Sequence, residues 1–373
     1  MNKYKLSKTK RELGLDKKIV KEPWSFLSEN SITNFGLENS LQLPELGIKN
    51  QIVFNPSGTR FYTNSMCSLC SFDPYTLNIT SKYSSRHNKD RVLSGKRVAL
   101  IEDVAFNQFH DEFLFFSLHP EIVIFNTERN EASAKIECGT SQWNHNRDCL
   151  IQASQHSPNI VYITSRKGKT RSVKSIDLLT NKVNLLFSFQ TKSDDSIFLN
   201  NPADQSKFVV VENYKLLFFD TSGSSLNDNL NPYMEFCSEK LKLSTSDNRI
   251  TSVKFNSNGS ELLVNMSHSF LFILNTNSLV PELIRENYFY NAEFMKDNKN
   301  YIVGCTTDNN VIIYSRKSNK IVKKLKQQNS PYSYALSPTD CLLAVTTVLG
   351  YQRDLFPIIN TFSPLGNCRT IVL

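Results

Sequence analysis

Ile250-Thr251-Ser252-Val253-Lys254-Phe255-Asn256-Ser257-Asn258-Gly259-Ser260-Glu261-Leu262-Leu263 reads as a short apolar strand, a polar turn and a second apolar strand. A further strand then closes at Leu274-Asn275, an aliphatic residue followed by Asn. This unit occurs seven times along the chain. The other turns, with their following strands, are Asn55 to Tyr62, Asn107 to Phe116, Ser157 to Tyr162, Pro202 to Val210, Lys296 to Val303 and Ser337 to Leu343. The other strand ends are Phe72-Asp73, Phe125-Asn126, Ile176-Asp177, Phe219-Asp220, Ile313-Tyr314 and Ile359-Asn360. Successive ends lie roughly 40 to 55 residues apart, the period of a four-stranded propeller blade. The sequence therefore predicts an all-β fold, a seven-bladed β-propeller.

Seven blades occupy most of the 373 residues as one domain. We place it at 46–373, behind a basic N-terminal extension at 1–45. Inner strands are predicted at 51–54, 103–106, 250–255 and 332–336. An open sheet edge invites aggregation, so the ring must close. Either Arg369 to Leu373 or a strand near Ile32 to Phe35 completes the last blade. The polar run from Thr221 to Pro232 and the charged run from Lys82 to Arg97 read as surface excursions.

Composition narrows the function. With 25 Phe and 14 Tyr the chain has ample material for inter-blade cores. The formal charge is +8, and part of the excess sits at Lys3, Lys5, Lys8, Lys10, Arg11, Lys17, Lys18 and Lys21. Such a tail reads as a solvated terminus or as a contact for acidic surfaces. The N-terminus lacks an apolar signal region, and no run reaches the roughly 18 apolar residues of a membrane helix. These features predict a soluble intracellular chain without membrane partners.

Motifs for chemistry are sparse. Cys67-Ser68-Leu69-Cys70 has zinc-knuckle spacing but lacks a second ligand pair, so it reads as buried cysteine. No P-loop, GxGxxG or G-x-S-x-G occurs, and the six histidines form no metal or nucleophile pattern. The sequence thus predicts no enzyme activity, no cofactor, no metal and no small-molecule substrate. Arg166-Lys167-Gly168-Lys169-Thr170-Arg171 is a basic hairpin, read as a solvated turn or a phosphate or acidic-peptide contact. The lysines at 317, 320, 323, 324 and 326 read as a charged outer edge that blocks pairing. Loops from all blades converge on a rigid rim, which suits protein binding. Residues just before inner strands line such a rim, and Asn50, Glu102, Arg249, Tyr290 and Tyr332 are the candidate partner contacts.

The chain resembles WD-repeat propellers, although it has neither a Gly-His nor a Trp-Asp dipeptide. In Asp308-Asn309-Asn310-Val311-Ile312-Ile313-Tyr314 an Asp stands six positions before the aromatic, as in WD repeats, where it ties the tight turn. Its absence from the other units suggests that strand packing rather than a polar tetrad holds most blades. From Ser206 to Asp220, Asn231 to Phe236, Asn248 to Asn275, Ala292 to Tyr314 and Ala335 to Pro357 the chain looks like one particular WD-repeat subunit. That subunit is shared by COMPASS histone methyltransferase complexes and by phosphatase/termination complexes at RNA polymerase II. The resemblance implies a non-catalytic scaffold in a nuclear multi-subunit complex, associated with chromatin indirectly. A rival resemblance is to substrate receptors of cullin-4–DDB ubiquitin ligases, through Lys10-Arg11-Glu12-Leu13-Gly14-Leu15 and Arg249 to Asn275. It implies an adaptor-bound receptor and leaves a cytoplasmic location open. The W-D-x-R box of those receptors is degraded here to Phe125-Asn126-Thr127-Glu128-Arg129 and Ile176-Asp177-Leu178-Leu179. Lipid-binding propellers carry an F/L-R-R-G motif that this chain lacks.

Overall fold

The computed structural model describes residues 36–42, 51–64, 68–84, 101–118, 121–137, 150–191, 196–223, 230–241, 249–267, 270–284, 289–295, 298–327, 331–339, 342–348, 357–363 and 369–370. They form seven sheets, six of them antiparallel and built from four consecutive strands and the seventh completed by strands from both chain ends, and so a seven-bladed β-propeller. An N-terminal strand, β1 (Gly36–Gln42), precedes the first blade. Blade 1 is β2 (Ile52–Phe54), β3 (Phe61–Asn64), β4 (Ser68–Phe72) and β5 (Ile79–Ser84). Blade 2 is β6 (Ile101–Phe106), β7 (Phe113–Leu118), β8 (Glu121–Asn126) and β9 (Glu131–Glu137). Blade 3 is β10 (Ile151–Ala153), β11 (Ile160–Lys167), β12 (Thr170–Asp177) and β13 (Lys182–Gln190). Blade 4 is β14 (Ser196–Asn201), β15 (Asp204–Glu212), β16 (Lys215–Asp220) and β17 (Met234–Cys237). Blade 5 is β18 (Ile250–Phe255), β19 (Glu261–Met266), β20 (Leu271–Asn275) and β21 (Pro281–Ile284). Blade 6 is β22 (Phe289–Met295), β23 (Asn298–Thr306), β24 (Asn310–Ser315) and β25 (Lys320–Lys326). Blade 7 is β26 (Pro331–Leu336), β27 (Leu343–Val348) and β28 (Pro357–Ser363), and β29 (Arg369–Thr370) follows.

Closure uses both chain ends. β1 pairs antiparallel with β28, and β29 then adds parallel to the outer side of β1. The sequence left two options open, a strand near Ile32 to Phe35 or one at Arg369 to Leu373. The ring uses an N-terminal strand that lies at 36–42 instead, residues 32–35 being outside the described residues, and adds Arg369–Thr370 beyond it. Residues 36–42, placed by the sequence in the N-terminal extension, therefore belong to the last blade. The reason is edge coverage: without β1 the row of backbone donors and acceptors on β28 would stand open.

The Asp or Asn at the end of the third strand in blades 1 to 5 has a local cause, whereas β24 ends at Ser315 and Asn360, read as a strand end, lies inside β28. The side-chain oxygen of Asp73 accepts from the backbone N–H groups of Tyr75 and Thr76. Asn126 does the same for Glu128 and Arg129, and Asp177 for Leu179 and Thr180. Asn275 serves Asn277 and Ser278, and Asp220 serves Ser222. These are Asx turns, which offer the backbone a cap as it leaves the strand. Four residues after the capping position the chain turns left-handed, at Leu77, Asn130, Asn181 and Leu279, and again at Asn319 after Ser315, whose hydroxyl accepts from Ser318 N. Asn tolerates that region best among non-glycine residues.

The cores lie between neighbouring sheets. One packs Phe187, Phe208 and Phe219 between blades 3 and 4, with Phe187 and Phe219 stacked at 4.6 Å. Cys70 is buried in the blade 1 core beside Phe61 and Phe72, while Cys67 lies outside the described residues. Strand packing is only part of what joins the blades. Asn64 Nδ2 donates to Ile101 O, Asn107 Nδ2 to Pro158 O, and Asn265 Nδ2 to Ala292 O. Thr339 Oγ1 donates to Ser57 O, joining the last blade to the first. Arg316 reaches from blade 6 to Glu261 and Glu282 of blade 5 at 3.1 and 2.8 Å. The missing tetrad is replaced by side chains that satisfy backbone groups of the next blade. Asp308 does tie its turn as expected, accepting from the Thr306 hydroxyl while its carbonyl accepts from Asn310.

Candidate functional site

Antiparallel order within each blade gives the ring two different ends. Turns joining first to second strands and third to fourth strands lie at one, here the lower end. Turns joining second to third strands, and the crossings between blades, lie at the upper end.

Of the rim candidates from the sequence, Glu102, Arg249, Tyr290 and Tyr332 belong to the upper end. Arg249 is exposed immediately before β18. Glu102, Tyr290 and Tyr332 are the second residues of β6, β22 and β26, so they sit inside their strands rather than ahead of them. The side chains of these three lie outside the described part, as does the whole of Asn50. The basic hairpin is also redistributed: Arg171 is fully buried, donating from Nη1 toward Thr164 Oγ1, while Lys169 stays exposed. A guanidinium turned into the blade cannot meet a phosphate. The lysine-rich strand is the outer strand β25, with Lys320, Lys324 and Lys326 exposed, as read from the sequence.

The inner strands are more polar than their composition suggests. Asp103 accepts from the backbone N–H of Ile151 in the next blade at 2.9 Å and from Val104 at 3.0 Å. Gln152 likewise accepts from Asn200 N at 2.7 Å. Asp103 and Glu293 retain some accessible surface yet are set deep among protein atoms, as carboxyls facing a narrow axial channel would be. Burial raises both above the ordinary carboxylate range, opposed in part by the positive charge of Lys254. The burial cost is the dominant effect because ionising a carboxyl away from water is unfavourable.

At the lower end a cleft of about 210 Å³ opens between blades 4 and 5. Its apolar floor includes the buried Val209 and Phe218, which face blade 5. Tyr233 stands beside Phe218 with ring centroids 6.4 Å apart, and is 49% exposed. Asn201, Asn258, Ser260, Thr276 and Asn277 supply amide and hydroxyl walls. The turn of Gly259 is fixed by Asn201, whose Nδ2 donates to Gly259 O at 3.2 Å and whose Oδ1 accepts from Ala203 N at 2.8 Å. Asp204 and Lys207 form an ion pair at 3.3 Å on the cleft wall. A hydrogen bond from Ser206, with help from Lys207, lowers Asp204, and the Ser222 backbone N–H lowers Asp220. Burial raises the Tyr233 phenol. Sequence reasoning missed this site because its walls come from turns of two blades. Ile79, Phe109, Leu179, Val183 and Val280 are also exposed at the lower end. Among the described residues no group of three or more His, Cys, Asp or Glu is arranged to hold a metal ion.

No family model matches the chain, and no curated protein matches it. Solved structures do. One is the crystal structure of the Myceliophteria thermophila Cps50 (Swd1) β-propeller domain, with a TM-score of 0.61. It shares 11% identity with this chain and covers 87% of it and 99% of its own length. What is shared is the fold. Because 1611 solved chains match, likeness to any one of them does not single out an activity.

Proposed function

We propose that this chain is a non-catalytic scaffold subunit that holds protein partners in a nuclear, chromatin-associated assembly of the COMPASS or transcription-termination kind. The observation that carries the scaffold reading is the closed seven-bladed ring with Ile79, Phe109, Leu179, Tyr233 and Val280 exposed at one end. Turns of a rigid ring that each present a large apolar side chain on the same end suit a protein interface. The narrower chromatin reading draws on the sequence resemblance from blade 4 onward, and likeness to the Cps50 (Swd1) propeller is in keeping with it. Asn50, Glu102, Arg249, Tyr290 and Tyr332 are proposed as contacts at the upper rim.

The test is affinity purification of the tagged full-length chain from its own cells, with mass spectrometry of what comes with it. Co-purification of a SET-domain methyltransferase or a phosphatase scaffold is expected. A cullin adaptor in their place would overturn the chromatin reading, and a chain recovered alone would overturn the scaffold reading itself.

A further inference from the structure

We propose that the cleft between blades 4 and 5 accepts one arginine side chain from an extended segment of a protein partner. The inference rests on the scaffold reading and names what one part of the lower end recognises.

Size comes first. A notch of about 210 Å³ holds one long side chain and no folded element. Its floor of Val209 and Phe218 suits an aliphatic stem, because long basic side chains lay their methylenes on apolar surface and keep the head in water. The exposed Tyr233 ring stands at the wall, where a planar cation gains from the ring face.

Charge then selects the guest. Asp204 lines the notch, and Asp220 lies close enough to act on both Tyr233 and Lys207. Both carboxyls are held below the ordinary range, hence ionised at neutral pH. Lys207 is the lysine lining the notch, and its ammonium is already 3.3 Å from Asp204. Among the described residues, two carboxylates against one engaged ammonium leave the notch negative on a chain of formal charge +8. An acidic or phosphorylated guest would face Asp220 with only a committed lysine to receive it. Arginine is favoured over lysine because its planar fork stacks on a ring and donates to several acceptors at once. Asp204, Ser260 and the exposed Asn277 offer such acceptors around the notch.

The full-length chain is titrated with Ac-Gly-Ser-Arg-Gly-Ser-amide and with its citrulline, lysine and glutamate counterparts, read by NMR line broadening of the peptide. The arginine peptide is expected to bind at least about tenfold more tightly than the citrulline peptide. Tyr233→Ala and Asp204→Asn should each remove that preference, and Tyr233→Phe should keep it. Asn277→Arg, at an exposed turn, should also remove it by filling the notch from the chain's own side. Equal binding of arginine and citrulline peptides, preference for glutamate, or no binding by roughly 10 mM overturns the proposal. So does an unchanged preference in Tyr233→Ala and Asn277→Arg. In the affinity purification, partners lost from both variants but kept by the native chain support it. The same partners on all three chains overturn the notch and leave the scaffold reading standing, whereas a native chain without partners removes the scaffold reading.

Discussion

Removing residues 1–42 should open the ring, while removing residues 1–30 should not. β1 meets β28 through the pairs Gly36↔Ser363, Leu37↔Phe362, Asn39↔Thr361, Ser40↔Asn360, Leu41↔Ile359 and Gln42↔Ile358. With about one ladder hydrogen bond per pair at roughly 0.5–1.5 kcal/mol net, the seam is worth about 3–9 kcal/mol. A folded chain is typically stable by only about 5–15 kcal/mol, so the loss approaches the whole margin. It also bares the edge of β28, and exposed edges recruit other chains. Urea unfolding followed by tryptophan or far-UV signal, with size-exclusion chromatography, measures both effects. The shorter deletion should keep the native midpoint and elute as a single species. The longer one should unfold at much lower urea or elute as aggregates. A chain lacking 1–42 that unfolds at the native midpoint and stays monomeric would show that β1 is not the closing strand.

Gly259→Ala should cost about 2–3 kcal/mol, since Gly259 has φ +68° and an added Cβ would lie 2.0 Å from Asn201 Oδ1. Asn201 cannot swing away without losing its own hydrogen bonds, so Gly259→Ala combined with Asn201→Ala should cost less than the two single changes summed, by urea unfolding. Asn181→Ala, at φ 54° on an exposed turn, should cost about 1 kcal/mol, and Asn181→Gly almost nothing. Burial raises Glu293 in the folded chain, so its favourable contribution is complete below the ordinary value of 4.5 and is lost as pH rises through the raised one. Glu293→Gln should therefore raise the urea midpoint at about pH 8 and leave it unchanged near pH 4; equal shifts at both would refute the burial argument.

The blades were legible because their punctuation is local. Turns at Asn55 and Asn256 and strand ends at Phe72-Asp73 and Leu274-Asn275 are set by neighbours in sequence, and each falls where it was read. Closure was legible only as a pair of alternatives, since the partners of β28 lie at opposite ends of the chain. Polarity along the inner strands was not legible. Asp103, Lys254 and Glu293 are single charged residues in separate strands that look apolar, and only ring geometry turns them toward each other. Arg171 was misread for a related reason: beside Lys167 and Lys169 it looked solvated, but on β12 it pairs across from Phe189 and points inward. The cleft between blades 4 and 5 combines Tyr233 and Gly259, which no pattern within one repeat connects.

The seam between β1 and β28 also sets an order of events during synthesis. β1 is made before any other described strand, yet its partner strand is among the last. At ordinary elongation rates the two are separated by roughly tens of seconds on the ribosome. Throughout that interval the earlier blades can stack on one another, but no ring can exist. The nascent chain thus carries an unpaired strand at its leading end for most of its translation, which makes it a natural client for a chaperone that shields extended segments.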